Sequence, residues 1–118
     1  DVVSFIDNMT VLEMSEFVKV AQVDDLSDPG KVILPVDDRL VVLIRRGQEF
    51  YCIDDVCTHD GGTLGDGELV DCELMCPRHG AKFDIRSGEA LTMPATENTL
   101  THEVKVDGAD VLVRLSED

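Results

Sequence analysis

Cys57-Thr58-His59 and, after residues 60–75, Cys76-Pro77-Arg78-His79 decide how this chain is read. Each half offers one thiolate and one imidazole, and each is followed by glycine: Gly61-Gly62 after the first, Gly80 after the second. Glycine lets backbone approach a bound group closely and point amide N–H groups at it, while Pro77 fixes one φ angle and removes a competing donor. Two Cys and two His suit zinc as well as iron. Zinc fingers commonly pair Cys with Cys and His with His along the chain, whereas here each half is mixed and the first has a one-residue spacer. A third reading leaves two reduced thiols and two unrelated histidines. The chain has only four Cys and three His, so a chance pairing of these two motifs is improbable.

The paired motif C-x-H and C-x-x-H, with its glycines, resembles the Rieske ferredoxin family. The resemblance covers about residues 16–115. It implies one 2Fe–2S cluster in which Cys57 and Cys76 hold one iron and the neutral imidazoles of His59 and His79 hold the other. Two ferric ions, two sulfides and two thiolates sum to zero, against minus two for an all-Cys cluster. An electron is therefore added more easily, and the potential lies above that of plant-type ferredoxins. The implied fold is an antiparallel β-sandwich-like base with a small β subdomain carrying the two ligand loops at its tip. Gly61, Gly62, Gly80, Ala81 and Phe83 would line the cluster, and the loop around Pro94 corresponds in position to the one that covers it in this family.

The remaining residues of interest have plainer readings. Cys52, in Phe50-Tyr51-Cys52-Ile53, and Cys72, four residues before Cys76, read as small buried hydrophobes. His102 alternates with apolar neighbours and reads as an exposed strand residue. At 118 residues the chain is one domain, and 43% hydrophobic content is ordinary for a folded one. No apolar run is long enough to cross a bilayer and no export signal is visible, so a cytoplasmic protein is expected. Unpaired Cys52 and Cys72 suit a reducing compartment. A net charge of −15 makes nucleic acid and anionic membrane poor partners and a basic protein surface a good one, although acidity also serves solubility.

Residues 1–13 read as an extension, and Met14 onward resembles the start of a stand-alone Rieske ferredoxin, giving a domain over 14–118. Short strands follow. Phe17–Val23 alternates; Asp24–Gly30 is turn-rich, with room for one 3₁₀ turn; Lys31–Val36 and Arg39–Arg45 are β-branched runs. The continuous Leu40-Val41-Val42-Leu43-Ile44 predicts a strand buried on both faces. Gln48–Ile53 leads into ligand loops at about 55–66 and 76–83, joined by a hairpin-like 68–75. Leu100–Val106 and Val111–Leu115 form a last hairpin around Gly108. No helix period of any length is present, which argues an all-β domain.

Within the family, three positions select a branch. The cytochrome bc branch carries one further Cys in each loop, forming a disulfide; Gly62 and Arg78 stand there. It also has hydroxyls that donate to cluster sulfur where this chain has Ala81 and Phe83. The resemblance is therefore to the low-potential ferredoxins of aromatic-ring dioxygenase systems. They accept an electron from an NAD(P)H-dependent flavin reductase and pass it to a terminal oxygenase. Only His102 remains as a spare imidazole, too few for a mononuclear iron site, so an electron carrier rather than an enzyme is expected. Two alternatives are the small subunit of an assimilatory nitrite reductase and a zinc-bound or metal-free binding module. Acidic residues of the first loop and hairpin (Asp54, Asp55, Asp60, Asp66, Glu68, Asp71, Glu73) are expected to rim the tip, with Arg78, Lys82 and Arg86 among them.

Overall fold

Val41 to Ile44 are completely buried, and their side chains alternate between two separate cores. Val41 and Leu43 face one, Val42 and Ile44 the other. A strand has period two, so an unbroken apolar run can serve two cores only if both faces are covered. The expectation for this run therefore holds, except that Leu40 at its start is exposed. A computed structural model describes residues 17–37, 39–56, 63–77, 80–93 and 97–116; the expected N-terminal extension lies outside them.

The strands are β1 (Val18–Gln22), β2 (Gly30–Val36), β3 (Arg39–Arg46), β4 (Glu49–Asp54), β5 (Leu69–Val70), β6 (Glu73–Met75), β7 (Lys82–Asp84), β8 (Thr101–Asp107) and β9 (Asp110–Arg114), with one 3₁₀ turn at Val23–Asp25. Six form an antiparallel sheet in the order β1-β9-β8-β4-β3-β2, and three form a small sheet in the order β5-β6-β7. Hairpins β3–β4 and β8–β9 close over two residues each, and Gly47 and Gly108 adopt the positive φ that such tight turns require. β8 touches β4 only at Cys52↔His102 and Ile53↔Thr101, then turns to pair β9 along its remaining length. This switch folds the large sheet over itself. Val111 and Val113 of β9 thereby pack on Val41, Leu43 and Cys52, as a sandwich-like base requires. The opposite face of β3 and β4, through Val42, Ile44 and Ile53, packs on Leu64, Leu74, Cys76, Ala81, Phe83 and Ile85 of the small sheet and its flanks. No described helix is long and apolar enough to cross a membrane.

Two side chains sit differently from their expected places. His102 is not exposed: its ring is fully buried, Nε2 lies 2.7 Å from Asp54 Oδ1, and Nδ1 accepts from the Ser116 N–H at 3.0 Å. It occupies the point where β8 passes between strands, where both of its faces are covered. Cys72 is only half-buried, in the turn joining β5 and β6, and its Sγ accepts from Arg46 Nη1 at 3.0 Å. Cys52 is buried as expected, and that burial, aided by Asp54, pushes its thiol up to about 12.

Candidate metal centre

The second ligand segment is a tight turn at the end of a hairpin. Met75 pairs with Lys82, the Cys76 N–H donates to the Ala81 carbonyl at 2.7 Å, and the Gly80 N–H donates back to the Cys76 carbonyl at 3.0 Å. Gly80 has a φ of +75°, which a side chain rarely adopts, so this turn favours glycine. Cys76 is 1% exposed and unpaired, between Ala81 and Phe83, which are wholly buried. Lys82 and Phe83 already belong to β7, so the loop expected over 76–83 is confined to its first residues. His79 and Arg78 lie outside the described residues, as do Cys57, His59, Asp60, Gly61, Gly62 and Pro94.

The ends of the first ligand segment are nonetheless fixed. Asp55 leaves β4 with its N–H on the Leu40 carbonyl at 3.1 Å. Its buried carboxylate then accepts, through Oδ1, the N–H groups of Leu64 at 2.9 Å and Gly65 at 2.6 Å. Lys31 Nζ donates to the Gly65 carbonyl. Gly65 lies so close to Ile33 and Val42 that a Cβ would come within 2.9 Å of both side chains. A third segment runs beside β7: Ala90 bridges Phe83, the Leu91 N–H donates to the Lys82 carbonyl at 2.8 Å, and the Lys82 N–H donates to Thr92 Oγ1 at 2.9 Å. It leads to Met93, 75% exposed, immediately before Pro94. On the return, Thr99 Oγ1 donates to the Val56 carbonyl at 3.4 Å.

Three chain segments are thus anchored, two of them entering or leaving the Cys-His motif and the third, beside β7, leading to Pro94. A buried thiol without a disulfide partner, a hairpin turn that needs glycine, and a second Cys-His loop with both ends anchored suit a 2Fe–2S cluster of two Cys and two His. Asp54 and Asp55, expected on the acidic rim, are not part of it. Asp54 is committed to His102 and lies 3.9 Å from Arg39, and Asp55 is turned inward. Sequence reasoning missed the Asp55 contacts. The only signal was an acidic residue ending an apolar strand just ahead of the motif.

The model of the Rieske [2Fe-2S] domain matches residues 16–113. The ferredoxin component of the naphthalene 1,2-dioxygenase system of Pseudomonas putida is 30% identical over 101 residues, 86% of this chain and 97% of that protein. The ferredoxin of carbazole 1,9a-dioxygenase from Nocardioides aromaticivorans IC177 superposes with a TM-score of 0.82 at 30% identity, over 85% of this chain and 98% of that one. A ferredoxin-sized chain from a complex of reduced oxygenase and oxidized ferredoxin in carbazole 1,9a-dioxygenase gives 0.79 at 27% identity, over 86% and 97%. Sequence motif, anchored loops and these likenesses agree: the chain belongs to the Rieske [2Fe–2S] domain family and carries a cluster of that type.

Proposed function

We propose that this chain is the ferredoxin of an aromatic-ring dioxygenase system, taking one electron from an NAD(P)H-dependent flavin reductase and delivering it to a terminal oxygenase. The observation that carries this is that the relatives matched over 97–98% of their own length are dioxygenase ferredoxins, one of them in complex with its oxygenase. The nitrite reductase reading has a likeness, a structure described as a nitrite reductase small subunit with a TM-score of 0.71, but at 21% identity that shows the shared fold alone. Cys57 and Cys76 would hold one iron and His59 and His79 the other; the cluster, when bound, accepts and releases one electron. The spare imidazole, His102, has its ring nitrogens committed to Asp54 and Ser116. The cytoplasm is the compartment that suits the free thiols of Cys52 and Cys72.

The chain's residues set the potential by what they withhold. Ala81 and Phe83 are fully buried and neither side chain can donate to sulfur. Voltammetry should give a midpoint near the low end of the Rieske range, about −150 mV. A clearly positive midpoint would contradict the assignment to the dioxygenase branch.

The docking face is the tip around the two His-bearing loops. Val56, Leu91 and Met93 give it exposed apolar area, and Asp66 and Glu68 are exposed acids on the segment leading from it, whereas Asp71, expected on the same rim, lies in the β5–β6 turn at the opposite end of β6 from Cys76. Lys82 is exposed and pairs beside the Cys76 turn, whereas Arg86, expected there too, follows the far end of β7 and is held by Asp84 at 2.9 Å. A largely basic partner surface suits this rim. In stopped-flow reduction by the reductase, the rate should fall as ionic strength rises, and charge reversal at Asp66 should slow association more than reversal at Asp107. A rate indifferent to salt would leave only the apolar part of the contact.

A further inference from the structure

We propose that Asp55 is a positioning residue for the cluster: its carboxylate clasps the two ends of the first ligand loop together and keeps a buried negative charge against them. This rests on the assignment of Cys57 and His59 as ligands. The loop leaves β4 at Asp55 and returns at Leu64, and no strand pairing joins those two ends. One carboxylate oxygen does so instead, accepting the N–H groups of Leu64 at 2.9 Å and Gly65 at 2.6 Å. The returning turn is held from the other side by Lys31 on the Gly65 carbonyl, and by packing of Gly65 on Ile33 and Val42. Hydrogen bonds to an ionised group are the strong class, and two on one oxygen fix the separation of the loop's ends.

The second oxygen, Oδ2, is buried and has no hydrogen-bond partner among the described residues. A structural clasp needs only one accepting oxygen, which an amide would supply as well. The carboxylate is shielded from solvent, and an amide in its place would carry no charge. Asp55 precedes Cys57 by two residues, so their Cα atoms are at most roughly 7 Å apart. A negative charge beside the ligand loop opposes the arrival of an electron. Asp55 is therefore placed to lower the potential as well as to hold the loop.

The test uses the whole chain, loaded with its cluster, and reads visible absorbance and midpoint potential. Asp55→Ala should lose its visible absorbance roughly tenfold faster than the parent, because the clasp is gone. Asp55→Asn keeps the accepting oxygen, so it should hold its cluster but reduce more readily, by roughly tenfold in the one-electron equilibrium, or about 59 mV. The parental decay rate in Asp55→Ala, or the parental midpoint in Asp55→Asn, would overturn the proposal. Should Asp55→Ala fail to fold, the Asn variant decides alone. A parent chain without the Rieske absorption would instead refute the cluster assignment, which separates the two failures.

Discussion

Replacing Cys57 or Cys76 by Ser is expected to yield a colourless protein, while Cys52→Ser and Cys72→Ser keep the full visible spectrum. The three described thiols occupy chemically distinct places. Cys76 follows β6 at the hairpin turn that leads to His79, buried and unpaired. Cys52 points into the core of the base, between Leu43 and Val111, on the far side of β4 from the small sheet. Its thiol is held protonated by burial, the opposite of what a metal ligand needs. Cys72 sits in the β5–β6 turn against Arg46. Loss of either ligand removes a bond that links two loops, so the effect is all-or-none rather than graded. Absorbance and iron content of the four purified variants check this, and a colourless Cys72→Ser protein would overturn the ligand assignment.

Phe83→Ala is expected to be the most damaging substitution away from the ligands. The ring is wholly buried in the core shared by β3, β4 and the small sheet, with Leu64, Leu74 and Ile85. Truncating a buried Phe costs about 3–5 kcal/mol through lost transfer energy and the cavity left behind. For a domain of this size that lowers the melting temperature by on the order of 20 °C. Cys76, Ala81 and Leu64 line the same core, so the cavity would loosen both ligand segments. Thermal unfolding followed by visible absorbance measures both effects together. A melting temperature within about 4 °C of the parent would mean the core collapses around the gap, which its two-sheet framing opposes.

Much of this was readable in the chain. The Leu40–Ile44 run announced a strand covered on both faces, and it proved to be the wall between two cores. The hairpin around Gly108 and the ligand segments were visible because glycine and the Cys-His spacing are local signals. What escaped depended on contacts distant in sequence. His102 alternates like a solvent-facing strand residue, and nothing local reports that β8 changes neighbours there. Asp54 and Asp55 look like a surface acidic pair, yet one answers a histidine 48 positions on and the other the amides of a turn 9 and 10 positions on. The three-residue strand β7 was hidden inside the second ligand loop, its apolar content being a single Phe.

The double-faced wall of β3 has a consequence for how the molecule breathes. Peeling the small sheet away would expose Val42 and Ile44, and loosening the base would expose Val41 and Leu43, so neither half can open without stripping a neighbour of the other. The amides of Val41 to Ile44 should therefore be the slowest in the chain to trade hydrogen with solvent, leaving only when the whole domain unfolds. An iron–sulfur group seated on such a frame is sheltered from partial openings that would admit oxygen or chelators.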